Sequence, residues 1–218
     1  MNSKVILSII VILLSSFYTK AEIIVDDFES NAMGWTESAY ESNNGTAIID
    51  KGVLTITSKG ENKTMGKLLT ALSGVQTQVG EDTFFETHCY APLNISNDFK
   101  ITSNVLIDKL GKDRVVGFVF NYRDSGNFYC ISFNEDLVVF LRYENNKLVG
   151  TIEQGVKWQK TKKAQQQWVL AYEGTEITFT VDGIELIRVK YMPLQYTGVG
   201  FYTFGKQKLQ VSEMTYEQ

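Results

Sequence analysis

From residue 23 onward, apolar and polar side chains alternate with a period of two. The clearest run sets Phe99, Ile101, Ser103, Val105 and Ile107 on one face and Lys100, Thr102 and Asn104 on the other. That alternation is the signature of a half-buried β-strand. Similar runs predict strands at 23–28, 46–50, 53–57, 83–90, 115–122, 128–133, 137–143 and 147–153. Five more follow at 168–172, 176–181, 184–189, 199–203 and 209–216. Turn chemistry falls between them. Asp182-Gly183 suits a tight primed turn with positive φ at both central residues. Asp50-Lys51-Gly52, Asp124-Ser125-Gly126-Asn127 and Asn145-Asn146 punctuate the chain in the same way.

Helical periodicity is scarce. Residues 160–167 are the best stretch for a helix, but their Lys and Gln run has no apolar stripe and reads as a polar loop. Residues 60–64 read as another loop. No internal repeat or composition break divides the chain. Many short strands with hairpin connections predict an all-β fold: two packed antiparallel sheets in a single domain.

Composition sharpens this picture. With 44% hydrophobic residues in 218, the chain has enough apolar surface for a core. A net charge of −4 argues against a nucleic-acid partner, which calls for a basic stripe. One His and two Cys exclude zinc fingers and multi-disulfide scaffolds. The N-terminus reads separately. Lys4, the apolar run 5–14, Ser15-Ser16 and Thr19-Lys20-Ala21 form a secretory signal with cleavage expected after Ala21. The run is shorter than the roughly 20 residues a bilayer span needs. Expected domains are thus a signal peptide over 1–21 and the sandwich over 22–218. The product is secreted or periplasmic, with no membrane span after cleavage. Losing Lys4 and Lys20 leaves 19 basic against 25 acidic residues, a net charge of −6.

Several segments together carry a family likeness. Val116-Gly117-Phe118-Val119-Phe120-Asn121-Tyr122-Arg123-Asp124 leads into Asn127-Phe128-Tyr129-Cys130-Ile131-Ser132-Phe133. Trp168, Asp182-Gly183 and Thr197-Gly198-Val199-Gly200-Phe201 follow, and Asp26-Asp27-Phe28 with Gly34-Trp35 opens the series. This order resembles the concanavalin A-like lectin/glucanase superfamily, especially its laminin-G-like and 3-keto-disaccharide-hydrolase-like members. The resemblance covers most of residues 26–216 and implies a jelly-roll sandwich. It specifies function poorly, because that fold hosts lectins, hydrolases and adhesion modules.

Within 127–133, Tyr129, Ile131 and Phe133 share one face, and Phe128, Cys130 and Ser132 the other. One face joins the core; the other lies under a second layer or along a concave binding sheet. Gly117 leaves room for close approach of a neighbour, and Gly198 and Gly200 thin one face. Sugar binding needs a flat aromatic ring with amide, carboxylate or guanidinium groups nearby. Trp35, Tyr122, Tyr143 and Trp158 are the candidate rings, with Arg123, Asp124, Asn127 and Arg142 as polar partners. The bland alternative is that the rings are core, as Trp168 is expected to be, and that Arg123–Asp124 is a solvated pair.

Catalysis stays open, and the sequence weighs against it. The glucanase branch places carboxylates at alternate positions of one strand, and no such ladder occurs here. Asp27 and Glu29 have the nearest spacing, while Glu86, Asp124, Glu135 and Asp136 are scattered. His88 reads as a hydrogen-bonded strand residue rather than a general base. No organic cofactor is implied. The resemblance suggests a structural Ca²⁺ where the first and last strands pair, with Asp26, Asp27 or Glu29 near Glu213. Cys89 and Cys130 form either a disulfide or two buried thiols. Asn44, Asn62 and Asn94 open Asn-x-Ser/Thr triplets, meaningful only in a eukaryotic secretory pathway. The leading expectation is a non-catalytic glycan-binding module working at the concave sheet or its rim loops. The alternatives are a 3-keto-disaccharide-type hydrolase and a laminin-G-like adhesion module.

Overall fold

The computed structural model describes residues 22–37, 45–59, 84–111, 114–156, 162–190 and 193–218. They form fourteen strands: β1 (Ile23–Asp26), β2 (Gly45–Asp50), β3 (Val53–Lys59), β4 (Phe84–Tyr90), β5 (Phe99–Lys109), β6 (Val115–Asp124) and β7 (Asn127–Phe133). The series continues with β8 (Leu137–Glu144), β9 (Lys147–Gly155), β10 (Lys162–Glu173), β11 (Glu176–Val181), β12 (Ile184–Val189), β13 (Gly198–Phe204) and β14 (Lys206–Glu217). Trp158, Asn44, Asn62, the signal segment and the loop expected at 60–64 lie outside the described residues.

One sheet has eight strands in the order β12-β11-β10-β5-β14-β3-β2, with β1 alongside β14; the other runs β4-β13-β6-β7-β8-β9. Every pairing is antiparallel. This is the expected two-sheet sandwich. Its tight hairpins use the expected residues. Asp182 and Gly183, Lys51 and Gly52, and Asn145 and Asn146 all have positive φ, the geometry that matches the right-handed twist of paired strands.

The core lies between the sheets and is built around aromatic rings. Trp168 meets Phe133 at 5.0 Å, Phe179 at 5.8 Å and Phe201 at 6.1 Å. Such tilted and edge-on contacts suit ring quadrupoles.

The polar loop expected over 160–167 is instead largely strand, since β10 starts at Lys162. The reason is visible at Gln165-Gln166-Gln167, which alternate exposed, buried, exposed. Gln166 is buried because its side-chain oxygen accepts the indole N–H of Trp168 at 3.0 Å. A hydrogen bond to a core group thus lets a polar residue occupy an inward position.

The six-stranded sheet carries apolar side chains on both faces. Its inner face contributes Phe118, Phe120, Ile131, Phe140 and Phe201 to the core. Its outer face holds a second cluster that includes Val119, Phe128, Cys130, Leu141 and Tyr202, all buried. An open saccharide floor across the middle of this sheet is therefore not what the fold provides. The rim differs, and there the polar residues gather.

Candidate functional site

The β6–β7 hairpin departs from regular pairing between Phe120 and Asp124. Within that irregularity, Asn121 adopts φ of 50°, a left-handed conformation that Asn tolerates better than most residues. Its side-chain oxygen accepts the backbone N–H of Gln195 at 2.7 Å and of Tyr196 at 2.9 Å. One buried amide thus ties the segment before β13 to the end of β6.

The hairpin tip is equally braced. Asp124 accepts from the Gly126 backbone at 2.9 Å and from the Asn127 side chain at 2.7 Å. Asn127 in turn accepts the Asn145 backbone N–H at 3.1 Å, joining this tip to the β8–β9 turn. Gly126 lets the Asn146 side chain lie close, since a Cβ there would meet its amide and make it shift. Arg123 donates to Asp124 at 2.7 Å and to the Tyr196 hydroxyl at 3.4 Å, with its guanidinium 5.7 Å from the Tyr196 ring centre. The hydrogen bonds from Asn127 and then Arg123 hold the Asp124 carboxyl below its ordinary range.

Between these elements opens a cleft of about 260 Å³. Asn121, Arg123, Asn127, Asn145 and Gln195 supply its polar walls and Tyr143 and Tyr196 its part-exposed rings, with buried Phe128 and Tyr129 beneath and Glu144 at the edge. Tyr143 is fixed by stacking on Phe128 at 4.8 Å. The arrangement offers amide, guanidinium and carboxylate groups beside aromatic surface, the combination that binds polyhydroxylated rings.

Of the residues predicted from sequence, Arg123, Asn127 and Tyr143 line this cleft and Asp124 braces it. Arg142 does not line it; it pairs with Glu144 at 3.2 Å. Tyr122 is 5% exposed and Trp35 3%, so neither ring is free to stack on a ligand. Trp35 packs on Phe201 at 5.8 Å, and its indole N–H donates to Asp26 at 2.7 Å. Asn121, Phe128, Tyr129, Glu144, Asn145, Gln195 and Tyr196 were not anticipated as ligand residues. Asn121, Phe128 and Tyr129 sat in the family-like segment, and Asn145 in the turn pair Asn145-Asn146.

The described residues also bear on the metal expectation, and they decide the cysteine alternative for two buried thiols. Asp26 is engaged by Trp35 and by the Phe28 N–H at 3.1 Å. It lies opposite buried Met214, so neighbouring Glu213 projects from the other face and accepts from Asn104 at 3.2 Å. Asp27 accepts the backbone N–H of Glu29. Asp26, Asp27, Glu29 and Glu213 thus do not converge, and among the described residues no three His, Cys, Asp or Glu side chains form a metal site. Cys89 and Cys130 are free thiols. Cys89 faces the core and Cys130 the outer cluster. Their strands are separated by β13 and β6, about 14 Å at the usual strand spacing, far beyond disulfide reach.

A smaller polar group surrounds Tyr122, whose ring centre is 6.1 Å from that of the cleft-lining Phe128. The Glu86 carboxylate accepts from the Tyr122 hydroxyl, and burial raises its pKa to about 7. His88 stacks on Tyr122 at 3.9 Å, and burial lowers its pKa.

No family model and no curated protein matches this chain. Solved structures do. The carbohydrate-binding module CBM66 from Bacillus subtilis is 16% identical, with a TM-score of 0.53 over 84% of this chain and 96% of that one. A β-1,3-1,4-glucanase (lichenase) derived from a mouse hindgut metagenome is 10% identical, with a TM-score of 0.56 over 89% and 98%. The carbohydrate recognition domain of Emp46p, in its metal-free form, is 12% identical, with a TM-score of 0.56 over 88% and 90%. These likenesses are of fold: the chain has the concanavalin A-like jelly roll that its motifs resembled.

Proposed function

We propose that this chain is an exported glycan-binding module that holds a saccharide in the rim cleft bounded by Arg123, Asn127, Tyr143 and Tyr196. The observation that carries this reading is the cleft itself: polar groups fixed by a closed hydrogen-bond network beside aromatic rings. Prearranged groups lose little freedom on binding, which favours recognition of a polar ligand. That a carbohydrate-binding module, a lectin domain and a glucanase share the fold supports the same ligand class. Hydrolysis calls for two carboxyl groups about 5–10 Å apart across the bond. Among the described residues, Glu144 is the one carboxylate lining the cleft, and it is paired with Arg142, which favours binding without turnover.

The test is calorimetric titration of the chain with a panel of soluble oligosaccharides. Tyr196→Ala and Arg123→Ala should each weaken the best ligand at least about tenfold, or ~1.4 kcal/mol, with circular dichroism unchanged. If no saccharide binds, or if binding ignores both substitutions, the reading fails.

A further inference from the structure

β4 is an edge strand, and Glu86, His88 and Tyr90 alternate onto its outer face. Opposite them on β13 stand Tyr202, Gly200 and Gly198 in register. The two glycines leave no side chain between β4 and β6, so the rings of His88 and Tyr122 meet across β13 at 3.9 Å and 28°. The packing demands glycine: a Cβ at Gly198 would strike the Tyr122 carbonyl, and one at Gly200 the Thr87 carbonyl.

Two acceptors in this cluster are left over. Tyr122 serves the Glu86 carboxylate, yet Oε2 of Glu86 is buried with no partner. His88 Nε2 lies 3.4 Å from the Thr36 hydroxyl, while Nδ1 is buried with no partner. With Nε2–H donating to Thr36, Nδ1 presents a lone pair. Among the described residues, the groups facing Glu86 from neighbouring strands are Tyr122 on β6, Tyr202 on β13 and Cys130 on β7, none of them cationic. Burial raises Glu86 to about 7, against the lowering effect of its hydrogen bond from Tyr122.

We infer that Glu86, His88, Tyr90 and Tyr122 form a second subsite that takes a protonated primary amine carried on the saccharide held by the rim cleft. The inference rests on the glycan-binding reading above and deepens it to amine-bearing sugars. An ammonium group carries three donors and a charge. It has donors for both Glu86 Oε2 and His88 Nδ1, brings a charge opposite to that of the carboxylate, and is attracted by the exposed Tyr90 ring. A neutral hydroxyl has one donor and leaves Glu86 uncompensated. Tyr90 connects the two sites. It is 57% exposed, its ring meets His88 edge-on at 6.1 Å, and its hydroxyl donates to the Arg123 carbonyl at 3.2 Å. From Glu86 to Tyr90 the strand runs about 13 Å at ordinary β-rise, room for a short oligosaccharide.

The test titrates the untagged chain at pH 7 with a tetramer of glucosamine and, separately, with its fully N-acetylated counterpart. The free-amine oligomer should bind at least about tenfold tighter, and Glu86→Gln should bring the two within about twofold. A second readout is direct. The chain has a single histidine, so its one imidazole NMR signal should move with glucosamine and stay put with N-acetylglucosamine. Equal affinities, a preference that survives Glu86→Gln, or a silent imidazole signal overturns the subsite. Neutral-saccharide binding that Arg123→Ala abolishes would then still uphold the rim cleft, so the two readings fail separately.

Discussion

Glu86 is a carboxylate whose burial favours its neutral form, and this has a signed consequence for stability. The rise from an ordinary 4.5 to about 7 corresponds to roughly 3 kcal/mol of linkage. Between those values the folded chain binds the proton more tightly than the unfolded one. Stability from this residue is therefore complete below about pH 4.5, falls as pH rises to about 7, and is level above. His88 acts in the opposite sense: its pKa is lowered, so its contribution is lost as pH falls below 6.5. Glu86→Gln isolates the first effect. Urea unfolding should show the variant gaining on the wild type between pH 5 and pH 8; an unchanged difference would refute the assignment. Asn121 is a second residue with an outsized role, because one side-chain oxygen serves two backbone N–H groups. Asn121→Ala should cost about 1–3 kcal/mol and weaken saccharide binding, since Tyr196 loses its anchor; unfolding curves and calorimetry check both.

At the level of elements, β13 depends on its missing side chains. A Cβ at Gly200 would meet the Thr87 carbonyl and lie 2.9 Å from the His88 Cα. Backbone cannot move aside as a flexible side chain can, so β4 must part from β13. Gly200→Ala should therefore destabilise by about 3 kcal/mol or more. Gly155 on β9 is the control: nothing lies within 4 Å of its Cβ position. Gly155→Ala should stay within about 0.5 kcal/mol of the wild type. Comparable losses at both sites in thermal or urea unfolding would contradict this account of the sheet.

For the molecule as a whole, both thiols are buried but on opposite faces of the six-stranded sheet, Cys89 toward the core and Cys130 in the outer cluster. Desolvation raises the pKa of Cys89 to about 12 and that of Cys130 well above its usual range, so neither is a ready thiolate. Ellman's reagent should leave the folded chain unmodified and titrate two thiols once urea unfolds it. The melting temperature should be the same with and without dithiothreitol. A reducing-agent-dependent midpoint would indicate a bond that the opposite orientations of Cys89 and Cys130 forbid.

The alternation of side chains located every one of the fourteen strands to within a few residues, β10 apart, and the Asp-Gly, Lys-Gly and Asn-Asn pairs located hairpin turns. These features are local: period-two patterning and positive φ depend on residues adjacent in the chain. The three-dimensional pairing decided the rest. Gln166 turned inward because Trp168, two residues away on the same face, offered a donor. Trp35 was withdrawn from any ligand by Asp26. Arg123, Asn127 and Tyr143 became neighbours of Tyr196 only because the β6–β7 and β8–β9 turns and the segment before β13 meet at one rim. Alternation assigns each side chain to a face, whereas strand order decides which faces are covered and which distant turns share a cleft.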